Sequence, residues 1–189
     1  MIISYLYHAE VMIHEIALFQ LPLISSHRPY DSRRFEYLYT CVQATKSVLD
    51  NFLSLSPSDW VGLNFPIILQ QTHSLQIMHR MSCLQNPGWD RALVRDTIDV
   101  LDYLEQAAIK VEQAYENLQV GGTEEETSVF FKGAQILRSA LPIWAAGLEN
   151  ADRVDEPQGS ENVENGLNET LMEFPDETWF SDFFGSWNV

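Results

Sequence analysis

Basic residues are scarce in this 189-residue chain, with 11 Lys and Arg against 27 Asp and Glu and a formal charge of −16. A nucleic-acid binder shows a basic face that neutralises phosphates, so direct DNA or RNA binding by this chain is not expected. Cysteines are scarcer still: Cys41 and Cys83 are the only two. That excludes a disulfide framework and fits a reducing compartment. Both lie in apolar helical stretches and read as small buried hydrophobes. No run approaches the ~18 uncharged apolar residues of a membrane span. The first residues lack the basic region of a signal peptide, and Glu10 and Glu15 interrupt their apolar face.

Motifs of catalysis are also missing. There is no Gly-x-Ser-x-Gly elbow, phosphate loop, dinucleotide fingerprint or His-Glu-x-x-His. The Glu-x-x-His pairs of di-iron bundles are absent too. His8, Glu10, His14 and Glu15 gather on one segment, but His8 and His14 are six apart, a poor spacing for one helix face. His79 and Cys83 are four apart and can point together, with His73 about two turns back, yet two ligands do not close a zinc site. The expectation is no enzyme, and no catalytic, metal or cofactor-binding residue.

Helical periodicity is what the chain does have. Ile2, Leu6, Ala9, Ile13, Ile16 and Phe19 recur every three or four residues, one face of a first helix predicted to about Leu21. That helix starts directly after Met1 with no capping residue, which reads as a chain beginning inside a larger structure. A second helix is expected from about Ser32 to Leu55. A third opens at Ser56 as N-cap with Pro57 in its first turn and Leu55 stapling to Trp60, then kinks at Pro66 and runs to Leu84. Asn86 to Asp90 is a break. Asp90 caps a fourth helix, with Trp89 stapled to Val94. Its stripe is Val94, Ile98, Leu101, Leu104, Ala108, Val111, Tyr115 and Leu118. After Gly121 and Gly122, Thr123 and Glu126 form a capping box for a fifth helix, with a kink at Pro142. No segment alternates at period two and no hairpin signal occurs. The expected fold is all-α: about five long helices with short connections, packed antiparallel by default.

Composition then changes. Residues 1–148 carry 16 acids and 10 bases, whereas 149–189 carry 11 acids and Arg153 as the one base. The division expected is a helical domain at 1–148, a disordered acidic linker at 149–170 and an acidic-aromatic tail at 171–189. The linker holds too few apolar residues to offset ordering at ~1–2 kcal/mol per residue. The tail interleaves aromatic rings with Glu173, Asp176, Glu177 and Asp182. Leu171, Phe174, Trp179, Phe180, Phe183, Phe184 and Trp187 are its candidate partner-binding residues. One turn of helix gathers most of the rings on one side for a partner's groove, and each ring buried contributes roughly 1.5–3 kcal/mol. The competing reading docks Trp179–Trp187 on the chain's own body.

Several short stretches, in order, resemble the regulatory region of fungal zinc-cluster (Zn2Cys6) transcription factors. They are Tyr7 to Glu10 with Ile13 to Leu18, Trp89 to Asp96, Phe130 to Ala134 with Ile143 and Trp144, and Pro175 to Phe180. The resemblance implies a nuclear protein that regulates transcription. It implies a helical domain that modulates activity, dimerises or responds to effectors. The implied partners are a coactivator, another regulator or a second copy, with no membrane. The family's DNA-binding module holds two zinc ions with six cysteines, in two Cys-x2-Cys-x6-Cys runs. With two cysteines, this chain lacks that module and implies no zinc of its own. An alternative role is a non-DNA-binding interaction or decoy protein that pairs with a regulator through its helical body.

Overall fold

The computed structural model describes residues 2–18, 32–63, 65–118 and 124–153. Every regular element among them is helical, as the periodicity predicts. They are α1 (Ile2–His14), extended by a 3-10 turn at Glu15–Leu18, α2 (Ser32–Leu53), α3 (Pro57–Val61) and α4 (Phe65–Cys83). Then come α5 (Arg91–Thr97), α6 (Val100–Leu118) and α7 (Glu124–Arg153). The chain divides into one unit at 1–151 and a second at 152–189, of which only Asp152 and Arg153 are described.

Helix α2 is the central element. Phe35, Leu38, Val42, Thr45, Leu49 and Phe52 are buried at steps of three and four, and α1 and α4 pack against it. The main core joins these residues to Met78 and Met81 of α4, Val94 of α5, Leu104 of α6 and Trp144 of α7. A smaller cluster forms where Phe52 and Trp60 meet edge to face at 4.3 Å, with Ile67, Ala107 and Ala114 beside them.

Two expected helices are each divided in two. Pro66 does not kink a continuous third helix. The chain closes α3 at Gly62, whose N–H donates to the Asp59 carbonyl, and restarts α4 with Pro66 in its first turn. A first-turn proline loses no helical hydrogen bond there. The start of α3 is as expected: Ser56 accepts from the Asp59 N–H and the Asp59 carboxylate accepts from the Ser56 N–H. The fourth helix breaks at Ile98, which is extended at φ −151° and ψ 120°. Asp99 Oδ1 accepts from the N–H groups of Leu101 and Asp102, so it caps a new helix. The apolar stripe hides this break because Ile98 stays buried on both counts, as the end of α5 and as a core residue.

Helix α7 passes through Pro142 and runs to Arg153, five residues beyond the expected end of the domain. Its last turn is held from α5. Arg91 donates to the Ala151 carbonyl, and Arg95 donates to the carbonyls of Leu148 and of Ser82 near the end of α4. Ala151 is buried accordingly. The Thr123 cap and the linker from 154 onward lie outside the described residues.

On helix α1 the apolar stripe and the buried side do not coincide. Leu6, Ala9, Ile13 and Ile16 face solvent, with Leu6 and Ile13 both 66% exposed. The covered side carries Ser4, Val11 and the half-buried His8 and Glu15. Apolar periodicity locates a stripe but not the neighbour it meets. Here specific polar partners on α2 and α4 take the opposite side of the helix.

Candidate functional site

Leu171, Phe174, Trp179, Phe180, Phe183, Phe184 and Trp187 all lie outside the described residues. The sites that can be built from geometry are on the helical body, and α1 contributes to the most developed one.

Ser4, His8, Val11 and Glu15 fall at steps of four, three and four, so one helix face presents them together. Asn51 Nδ2 donates to Ser4 Oγ across 2.6 Å. Glu15 Oε2 lies 2.8 Å from His73 Nε2 on α4, and His73 Nδ1 lies 3.1 Å from His8 Nε2. Burial pushes both imidazoles below their usual range, and the Arg80 cation lowers His73 further. Neutral rings then satisfy the network in one way. The His73 Nε2–H donates to the Glu15 carboxylate, and its Nδ1 accepts from the His8 Nε2–H. Burial raises the Glu15 carboxyl while Arg80 opposes the shift.

Carboxylate, imidazole, imidazole is an order that can relay a proton. Among the described residues it reaches no hydroxyl or thiol nucleophile, and no three His, Cys, Asp or Glu residues are placed to hold a metal. Its evident work is to fasten α1 to α4. The His8–His14 spacing missed it because His73 comes from a helix nearly sixty residues away. The signal that was there is the polar step from Ser4 to His8 to Glu15.

His79 and Cys83 do point together, at 3.7 Å between Nε2 and Sγ. The His79 ring stacks on Trp144 with centroids 4.7 Å apart, and its Nε2 lies 3.3 Å from the Trp144 carbonyl. His73 does not join them. Cys41 is buried, and its Sγ contacts the Val11 carbonyl at 3.9 Å. Both cysteines are therefore packing residues, as expected.

The third feature is the outer face of α1. Ile3, Leu6, Ile13 and Ile16 are each more than half exposed, Tyr5 and Met12 are exposed as well, and the exposed Tyr37 of α2 lies against the His14 ring at 5.7 Å. Leu6, Ile13 and Ile16 share one face of the helix.

Residues 57–189, well over half of the chain, match a family model described as the ATEG07667_C C-terminal domain. The chain belongs to the ATEG07667_C C-terminal domain family. This family segment begins at α3 and includes the whole acidic-aromatic tail. The chain is also similar to transcription factor opdL of Penicillium oxalicum, at 26% identity over 190 residues. That alignment covers 98% of this chain and 33% of opdL. A second relative, named as a transcription factor of Aspergillus terreus, is 30% identical over 73 residues, 39% of this chain and 12% of that protein. The chain thus spans about a third or less of the length of these relatives. No solved structure matches it. This chain is therefore related to fungal transcription factors, and every regular element among its described residues is helical.

Proposed function

We propose that this chain is a transcription-regulatory segment of the zinc-cluster type. In this reading the helical body is the regulatory domain, and residues 171–189 are an activation segment that contacts a coactivator. The protein acts in the nucleus and is not an enzyme. The observation that carries the reading is the alignment over 98% of the chain with a fungal transcription factor. The net charge of −16 agrees with it, because an acidic chain of this kind contacts protein and not phosphate. The tail supplies the contact. Its carboxylates keep Trp179, Phe183 and Phe184 solvated until a groove buries them.

The test is a reporter assay. Residues 171–189, fused to an unrelated DNA-binding domain, are expected to activate transcription. Replacing Trp179, Phe183 and Phe184 by Ala is expected to abolish the signal. A silent wild-type fusion, expressed and nuclear, would remove the activation role from the tail.

A further inference from the structure

We propose that Ser56, in the connection between α2 and α3, is the phosphoacceptor of a proline-directed protein kinase, and that phosphorylation opens the capping box of α3. A kinase transfers phosphate to a hydroxyl on an exposed, extended stretch of backbone that its cleft can grip. A proline-directed kinase further requires proline directly after the acceptor. Of the eight prolines in the chain, Pro57 alone follows a serine or threonine. The whole sequence therefore holds a single candidate step.

The fold presents that step and withdraws the other hydroxyls. Ser56 is exposed and extended, at φ −71° and ψ 156°. Pro57 enforces this, because its ring disfavours the helical region for the residue before it. Among the described residues, Ser56 is the only serine or threonine outside a helix or turn. Thr45, Ser74 and Ser82 are buried within helices, and each donates its hydroxyl proton to the carbonyl four residues back. Thr40, Ser47 and Thr97 make the same bond. A hydroxyl held on a helix does not fit an extended cleft.

In the transfer, Ser56 Oγ attacks the γ-phosphorus of Mg·ATP and the bond to the β,γ-bridging oxygen breaks. ADP leaves, and the hydroxyl proton passes to the kinase's catalytic carboxylate. The product reverses the local electrostatics. In the unmodified chain Ser56 Oγ donates to Asp59 Oδ2 across 2.6 Å, and the Ser56 N–H donates to the same oxygen. Those two bonds hold the Asp59 carboxyl below its usual range, so it is ionised at neutral pH. Esterification removes the first donor and sets a charge of about −1.5 to −2 against that carboxylate. The two anions repel and the box opens. Lys110 of α6, which donates to the adjoining Leu55 carbonyl, is the cation beside this corner. Helix α3 has only five residues, too few to hold without its cap and its packing. Trp60, buried against Phe52, is the next residue after Asp59 and carries the change into the smaller core cluster.

The experiment incubates the full 189-residue chain with Mg·ATP and a mitogen-activated protein kinase, beside a peptide of residues 50–62. Both are expected to take up a single phosphate, located at Ser56 by mass spectrometry, and Ser56→Ala is expected to abolish it. Because Ser56→Ala also removes a cap, Pro57→Ala is the second variant. It keeps the capping hydroxyl and is expected to lower the rate at least about tenfold, with unchanged far-UV circular dichroism. Asp59→Asn is expected not to lower the rate. The Asp59 carboxyl, followed by NMR, is expected to titrate at higher pH in the phosphorylated chain. A chain that stays unmodified while the peptide is phosphorylated overturns the proposal, because the fold then hides Ser56. An inert peptide overturns it too. Uptake that survives Pro57→Ala and is lost in Asp59→Asn assigns Ser56 to an acidophilic kinase instead. Phosphate at Ser56 with an unmoved Asp59 titration overturns the opening of the cap. None of these outcomes alters the reporter experiment, which depends on the tail alone.

Discussion

The indole N–H of Trp89 donates to the main-chain carbonyl of Met81 across 2.9 Å. Met81 lies in the last turn of α4, where helix carbonyls have no partner within the helix. The side chain that closes this end comes from beyond the turn at Asn86 to Gly88. The same ring stacks with Phe35 at 6.2 Å and packs on Tyr39 at 4.6 Å, so one residue ties α4 to α2. Trp89→Ala is expected to cost about 3–5 kcal/mol of stability. Trp89→Phe keeps most of the packing and is expected to cost far less, with about 1 kcal/mol from the lost hydrogen bond. Urea unfolding of the two variants checks the order.

Acid is expected to loosen the seam between α1, α4 and α7. Burial holds His8, His73 and His79 below the ordinary imidazole value of 6.5. The unfolded chain therefore binds more protons than the native one as the pH falls below about 6.5. Stability is complete above that value and is lost as the pH drops through the lowered native values. Glu15, with its carboxyl raised above 4.5, works in the opposite direction and offsets part of the loss nearer pH 4.5. The urea midpoint is expected to be lower at pH 5.5 than at pH 7.5, with a smaller difference in His73→Gln. Equal midpoints at the two pH values would contradict a buried neutral pair.

Two glycines of α7 are expected to respond in opposite ways to the same substitution. A Cβ at Gly133 meets Val111 Cγ1 at 3.6 Å, an ordinary contact. Gly133→Ala is expected to stabilise by up to ~1 kcal/mol through helix propensity. A Cβ at Gly147 meets His79 Nε2 at 3.2 Å and Cε1 at 3.3 Å. That ring is stacked on Trp144 and has little room to retreat, so Gly147→Ala is expected to lower the melting temperature. In a His79→Ala background the same change is expected to become stabilising, which a double-mutant cycle reads directly.

Neither cysteine is expected to react in the native chain. Burial pushes the Cys41 thiol up to about 12, which removes its thiolate at neutral pH. Iodoacetamide at pH 8 followed by mass spectrometry is expected to find Cys41 and Cys83 unlabelled, and both labelled in urea. Stoichiometric labelling of Cys41 without denaturant contradicts the packing described for α1 and α2.

Local chemistry was legible wherever a few neighbouring residues decide the outcome. Ser56 with Pro57 and Asp59, and Asp90 with Leu93, cap their helices as the spacing predicts, because the donors and acceptors are at most three residues apart. The extent of α2 was legible too: a helix expected from about Ser32 to Leu55 runs from Ser32 to Leu53. The two helix breaks were not. Ile98 leaves the helical path while keeping its place in the apolar stripe, and periodicity cannot register a change of direction that preserves burial. The end of α7 was equally hidden, since Arg91 and Arg95 hold it from sixty and fifty-three residues away.

The sequence by itself determined the all-α class, the acidic balance of the chain and the presence of an apolar stripe on α1. Tertiary structure alone decided which way that helix faces. His8 and Glu15 meet His73, and Ser4 meets Asn51, only once α2 and α4 are in place. Those polar contacts fix the rotation of α1 about its own axis. Leu6, Ile13 and Ile16 are left outward because a helix cannot satisfy its polar side against the body and bury the other side there as well.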